Sequence, residues 1–278
     1  MKQRLLTEQM INKFRLHLIY EEKSSVTIQK YIQDVKAFRC FLGEKEVSKE
    51  VVLEYKKILV EKYAARSVNS KLASLNSLFA FLGWENCRVK NVKIQREIYV
   101  SEEKELTKSE YIRLLKSADN NPRLKLVIET ICGTGIRVSE LKYFTIESIK
   151  KGTVVVKCKN KTRSILIPSK LRKLLLKYAK KNKIKCGIVF ATKNGNPLNR
   201  SNIWSEMKKL CKKASINPKK VFPHNLRKLF ARTFYGIEKD IAKLADILGH
   251  SSVDTTRIYI ISTGFEHRKK IDSLGLVI

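Results

Sequence analysis

The chain has 278 residues, with 58 Lys and Arg against 26 Asp and Glu, for a formal charge of +32. Its 43% apolar content suits packed cores and excludes a disordered basic tail, and its length accommodates two ordinary domains. A charge of this size calls for a polyanionic partner, most often nucleic acid. No run reaches the roughly 18 apolar residues of a membrane span, and the opening MKQRLLTEQMINKF has no apolar signal-peptide core, so the cytoplasm is the expected compartment. Cys40, Cys87, Cys132, Cys158, Cys186 and Cys211 form no CxxC pair, which fits neither a zinc site nor a disulfide framework.

The first 90 residues read as about four helices. After an opening helix, TIQKYIQDVKAFRCFL places Ile28, Tyr31, Val35, Phe38 and Leu42 near one face, with Ser24, Ser25 and Thr27 as candidate N-caps and Gly43 as the stop. Ser48 is set to cap SKEVVLEYKKILVEKY, and Ser67 to cap SVNSKLASLNSLFAFL. Residues 88–105 are charged and lack a sustained period, which places a linker there, and the boundary falls near residue 100. The expected division is a helical domain over 1–95, a linker over 96–105 and a second domain over 106–278. Thr107 and Glu110 then form a capping-box signature. The second domain is mixed: a helix RLKLVIETICGTG, a second helix RVSELKYF, and a hairpin of TVVVKC and SILIP with the basic tip KNKTR. The run IVFA, the turn KNGNPL and four further helices follow, and the class is mainly α with a small β-sheet.

Charge and chemistry concentrate in this second part. Residues 1–105 hold 20 basic and 14 acidic residues and residues 106–278 hold 38 and 12, with no Asp or Glu between Glu147 and Glu206. A carboxylate beside a DNA backbone opposes the dominant binding term, so such a stretch suits a phosphate-facing surface. The same scarcity of acids leaves a two-metal phosphoryl-transfer site poorly supplied, and no P-loop is present. No metal or cofactor is therefore expected. A metal-free route uses cations to hold the phosphate and a side chain as nucleophile. Arg137 follows the Gly133–Gly135 turn, His224 and Arg227 are three apart in a helix, His250 sits in LGHSS, and Tyr259 comes nine residues later.

In combination and order, GTGIRVSEL (133–141), the basic hairpin, HNLR (224–227) and LGHSSVDTTRIY (248–259) resemble the tyrosine recombinase (phage integrase) family, of the compact two-domain Xer- or Cre-like type. The first-domain helices are similar to the family's SAM-like four-helix core-binding domain. The resemblance implies a site-specific recombinase that cleaves double-stranded DNA through a 3′-phosphotyrosine on Tyr259 and uses neither metal nor ATP. It implies that Arg137 and Arg227 hold the phosphate, His224 assists proton removal, and His250 donates to the phosphate. Glu140 matches an acidic position that supports the site. The family's general-acid lysine falls on Lys157, Lys159 or Lys161. Lys159 is favoured because a strand starting at Ser164 leaves it nearest the tip, with Lys161 next. Two departures from the pattern are Lys228 and Ile260, where the family often has histidine.

The same resemblance implies two domains that clamp a duplex and a tetramer on paired, nucleoid-associated sites. It also implies that the tail GFEHRKKIDSLGLVI packs on a neighbouring copy through Phe265, Ile271 and Leu274. A type IB topoisomerase-like enzyme and a catalytically inactive architectural protein are the rival readings. The target site, its spacer and accessory proteins are not encoded in these motifs.

Overall fold

Four helices build the first unit. α1 (Glu8–Tyr20) is capped by the Thr7 side chain, which accepts from the Met10 amide. α2 (Ser25–Leu42) is capped by Ser24 and closed by Gly43 at φ +58°, and α3 (Lys49–Lys62) is capped by Ser48. Their apolar stripes meet α4 (Ala65–Phe81) in a core of Phe14, Leu18, Val35, Phe38, Leu72 and Phe79. Ser67 is not the cap of α4: the helix begins two residues earlier after the extended Ala64, whose carbonyl accepts from the Ser67 and Val68 amides. Asp34 is buried between α2 and α4, where Lys30 (2.5 Å), Lys71 (3.3 Å) and Ser74 (2.8 Å) satisfy its carboxylate. A buried charge requires such partners.

This computed structural model describes residues 4–95, 102–158, 161–192, 194–261, 268–269 and 271–276, and it divides into two units, Met1–Arg96 and Glu97–Ile278. The stretch expected to be linker from residue 88 onward is partly folded. Asn76 exchanges two hydrogen bonds with the Val89 backbone and Asn69 two with that of Val92. These amides turn 88–92 into an edge of the first unit, a long-range pairing that charge and periodicity do not disclose. At the far end, Glu105 and Leu106 are buried in the second unit.

The second unit begins with α5 (Lys108–Ser117), where Thr107 and Glu110 form the capping box. α6 (Pro122–Thr134) starts with Asn121 as cap and Pro at its first position, and ends at Gly135 in the left-handed region at φ +66°. RVSELKYF is not an α-helix but a 3₁₀ turn over Val138–Tyr143, tightened because the Glu140 carboxylate reaches back to the Arg137 amide. α7 (Ile146–Lys151) leads into an antiparallel hairpin of β1 (Thr153–Cys158) and β2 (Lys161–Leu166). The pairing Cys158↔Lys161 shows that β2 starts at Lys161, not at Ser164. KNKTR is therefore mostly strand, because backbone pairing extends the ladder past the last apolar side chain.

α8 (Ser169–Lys181) stands outside the expected elements, although its buried Leu171, Leu175 and Ala179 recur at helical spacing. IVFA forms isolated bridges only, Thr145↔Ile188 and Ala191↔Pro197. α9 (Arg200–Ala214) and α10 (Pro223–Glu238) complete the main core with Met207, Cys211 and Leu226. α11 (Ile241–Leu248) and α12 (Val253–Ile260) pack on α10 through a separate small cluster of Ala231, Leu244, Leu248 and Tyr259. No described helix is long and apolar enough to cross a membrane. Ile271 and Leu274 of the tail are exposed, and Phe265 lies outside the described residues.

Gly135 joins the core to the site, since a Cβ there meets Phe230 Cε1 at 2.6 Å and Leu248 Cδ2 at 3.0 Å. Left-handed strain and overpacking together cost on the order of 3 kcal/mol. Gly135→Ala is expected to lose about that much in urea denaturation of the full chain, and an unchanged midpoint contradicts the assignment.

Candidate active site

The left-handed turn at Gly135 and the 3₁₀ turn that follows fix Arg137. Its Nη1 donates to Glu140 Oε1 at 3.2 Å, and its Nη2 donates to the Gly249 carbonyl at 3.3 Å. Glu140 is 3% exposed, and its Oε2 also accepts from Arg163 Nη2 on β2 at 2.7 Å. Arg163 Nη1 in turn donates to the Leu248 carbonyl. One buried carboxylate thus holds two guanidinium groups.

The end of α11 supplies the rest of the scaffold. The Gly249 amide donates to Asp246 O, and the His250 amide reaches Ala245 O at 3.0 Å, closing the helix in a Schellman-type cap. That cap leaves the Leu248 and Gly249 carbonyls for the arginines. Gly249 holds φ +63°, and a Cβ on it lies 2.7 Å from Arg163 Cδ, so both the turn and the close approach of Arg163 require glycine.

Arg227, on α10, is 1% exposed. It donates to the Gly135 carbonyl through Nη1, and through Nη2 to Leu248 O (2.6 Å) and His250 Nε2 (3.0 Å). Burial first, then the nearby Arg137, pushes its pKa down to about 10, which leaves it protonated at neutral pH. Because a guanidinium only donates, His250 Nε2 is the acceptor, and the proton of the neutral ring sits on Nδ1, bonded to Thr256 Oγ1 at 2.9 Å. Both ring nitrogens are engaged within the chain. A hydrogen bond from His250 to a phosphate therefore requires Arg227 to turn to the anion and the ring to take the other tautomer.

Tyr259, on α12, is 7% exposed. Its Oη lies 3.5 Å from His224 Nδ1, and the two rings meet edge to face at 5.0 Å. The His250 ring is 4.9 Å away and Arg227 Cζ lies over the phenol ring at 5.9 Å. The i, i+3 spacing that put His224 and Arg227 on one helical face brings both to the same tyrosine. A cavity of about 560 Å³ opens beside this group, lined by Arg137, Thr162, Arg163, Asp246 and His250 among others. Among the described residues, no group of three or more His, Cys, Asp or Glu is placed to hold a metal ion.

Of the six expected site residues, His224, Arg227, His250 and Tyr259 form one contact cluster, and Arg137 and His250 line the cavity beside it. The sixth, Lys159, lies outside the described residues. Of the alternatives that sequence alternation left together, the hairpin register places Lys157. Lys157 pairs with Thr162, and Val156 with Arg163, so Lys157 is exposed on the face of the ribbon opposite Arg163. Two polar members of the site were not anticipated. Thr256 has a local signal, lying three residues before Tyr259 on one helix, whereas Arg163 has none, because its partners are distant in sequence.

Burial first, then Arg227 and Arg137, lowers the His250 pKa to about 4. His224 has an edge open to solvent and is also lowered, by burial of the ring first and then by Lys228 and Arg227. Both imidazoles are therefore neutral at pH 7 and able to accept a proton. Above the unfolded value of about 6.5 the shifts leave stability untouched. As pH falls from there toward 4, the unfolded chain binds the protons first and stability declines. Ring-nitrogen NMR at pH 6 is expected to show neutral His224 and His250, and finding either protonated contradicts the geometry.

Comparison with known proteins identifies the family. The phage integrase family matches residues 104–264 and the phage integrase N-terminal SAM-like domain matches residues 11–86. The chain is 29% identical to the tyrosine recombinase XerA of Pyrococcus furiosus, covering 100% of this chain and 98% of that protein. It is 30% identical to the XerA of Pyrococcus horikoshii, covering 99% and 97%. A crystal structure of XerA recombinase aligns at TM-score 0.53 and 25% identity over 98% of this chain and 100% of that one. A lambda integrase dimer bound to a COC′ core site shares the fold, at TM-score 0.75 and 18% identity over 93% of this chain and 96% of that one. The chain belongs to the phage integrase family of tyrosine recombinases.

Proposed function

We propose that this tyrosine recombinase cuts and rejoins double-stranded DNA at specific sites, with Tyr259 as nucleophile. The observation that carries the reading is the position of Tyr259: its hydroxyl faces the neutral His224 at 3.5 Å, and its ring packs against His250 and beneath Arg227. A free phenol ionises near pH 10, so its proton must leave during attack. His224 Nδ1 accepts that proton as Tyr259 Oη bonds to phosphorus.

Arg137 and Arg227 turn toward the non-bridging oxygens and stabilise the charge of the five-coordinate state, for which a guanidinium fork is well suited. His250, in its Nε2–H tautomer, donates to one of these oxygens. The P–O5′ bond breaks, and a hairpin lysine protonates the departing 5′-oxygen. Of the hairpin lysines, Lys159 is favoured for this step, with Lys161 next. The product is a 3′-phosphotyrosine and a free 5′-hydroxyl. Attack by a 5′-hydroxyl from the partner strand reverses each bond change, so the energy of the phosphodiester is conserved without metal or nucleotide.

Exchange between two duplexes requires one protomer per cleaved strand, hence four copies on paired sites, with the exposed Ile271 and Leu274 available to a neighbouring copy. A lambda integrase tetramer bound to a Holliday junction is a structure of the same fold. The working compartment is the one that holds the DNA, the cytoplasmic nucleoid. An architectural binder gains nothing from a phenol seated beside a neutral histidine and buried guanidinium groups.

Tyr259→Phe is expected to bind its site within about threefold of the native chain while forming no covalent adduct on a nicked suicide substrate. An adduct formed by the Phe variant overturns the nucleophile assignment. Joining of two sites on separate duplexes is the expected product of the native chain, and relaxation of a single plasmid with no joining contradicts the recombinase reading.

A further inference from the structure

Arg163 is the residue that links three separate stretches of the site. It is 14% exposed at its side chain and pairs with Val156 across the hairpin. Nη2 donates to Glu140 Oε2 at 2.7 Å, Nη1 donates to the Leu248 carbonyl, and its Cδ lies against Gly249. The carboxylate it holds is the one that holds Arg137, and the carbonyl it holds also accepts from Arg227. With both Nη groups engaged within the protein, Arg163 is placed to act on other residues of the site. Its own backbone is part of β2, two residues from the start of the strand at Lys161. Val154, Val156, Ile165 and Ile167 pack the ribbon into the main core, and Arg163 adds a polar anchor on the tip side of Ile165 that ties this stretch to the phosphate-holding groups.

We propose that Arg163 is a positioning residue for strand cleavage: it fixes the β1–β2 hairpin against Glu140 and the Leu248–Gly249 turn, so that the proton for the leaving oxygen is delivered from a set distance. The proposal rests on the reading that a hairpin lysine is the general acid. Replacing the bridging 5′-oxygen of the scissile phosphate by sulfur separates the two ideas. A thiol ionises near pH 8.5, so a 5′-thiolate leaves without being protonated, and a defect confined to proton delivery disappears on that substrate.

Single-turnover cleavage of both substrates by the full chain is the test, with Lys159→Ala and Lys161→Ala as controls and site affinity measured in parallel. Arg163→Ala is expected to cleave the oxygen substrate at least about 100-fold more slowly, the lower range for general acid catalysis, and the sulfur substrate within about fivefold of the native rate. Arg163→Lys retains the charge but satisfies a single acceptor, and it serves if the Ala variant does not fold. It should show the same rescue with a smaller defect. If a lysine variant is rescued by sulfur but the Arg163 variants stay slow on both substrates, or are native on both, the proposal is overturned. If neither lysine variant is rescued, the general-acid reading itself fails and the proposal falls with it.

Discussion

Three guanidinium groups converge on the Leu248 and Gly249 carbonyls, at the end of one short helix and in the cap that closes it, and on a single buried carboxylate. Arg163 and Arg227 share the Leu248 carbonyl, Arg137 takes that of Gly249, and Glu140 holds Arg137 and Arg163. Like charges about 5 Å apart repel by roughly 3 kcal/mol at an effective dielectric of 20. The negative end of α11 and the carboxylate oppose that repulsion, since a helix C-terminus favours cations. Three positive charges against the carboxylates of Glu140 and Asp246 leave the site with a positive excess. Burial lowers the pKa of Arg227 and of both histidines first, and the neighbouring cations lower them further. On the proposed reading a backbone phosphate supplies the missing charge, and the transition state, which gathers more negative charge, supplies it better.

Tyr259, the proposed nucleophile, is held more lightly than this scaffold. α12 rests on α10 and α11 through a cluster of a few residues that includes Tyr259 itself, whereas α10 and the hairpin, which carry Arg227 and Arg163, also pack in the large core of the second unit. Small clusters open at lower free energy than main cores. A division between a fixed anion site and a more loosely packed tyrosine helix suits an enzyme whose tyrosine must attack, remain esterified and be released in turn. His250 connects the two parts, bonded to Arg227 on one side and to Thr256 of the tyrosine helix on the other.

Much of this was legible in the sequence because the relevant signals are local. Glycine turns, HNLR and LGHSS each place their own residues, and the Thr107–Glu110 box sets a helix start without help from elsewhere. What escaped depends on pairing at a distance. Lys161, Thr162 and Arg163 carry no apolar alternation, so the strand they begin is defined only by the ladder to β1. Arg163 finds its partners 23 and 85 residues away. The stitching of Val89 and Val92 by Asn76 and Asn69 is invisible for the same reason. The tautomer of His250 follows only from knowing that a guanidinium faces its Nε2.

The anion deficit is tested most directly by removing charge from the substrate. In a site whose scissile phosphate is replaced by a methylphosphonate, one non-bridging oxygen becomes a methyl group and the ground-state charge is lost. Arg137→Ala and Arg227→Ala are predicted to lose at least about 100-fold in cleavage of the native phosphate, in line with loss of one preorganised donor, and to lose little on the methylphosphonate. Equal losses on both substrates would contradict the account, because the arginines would then be serving the fold and not the charge.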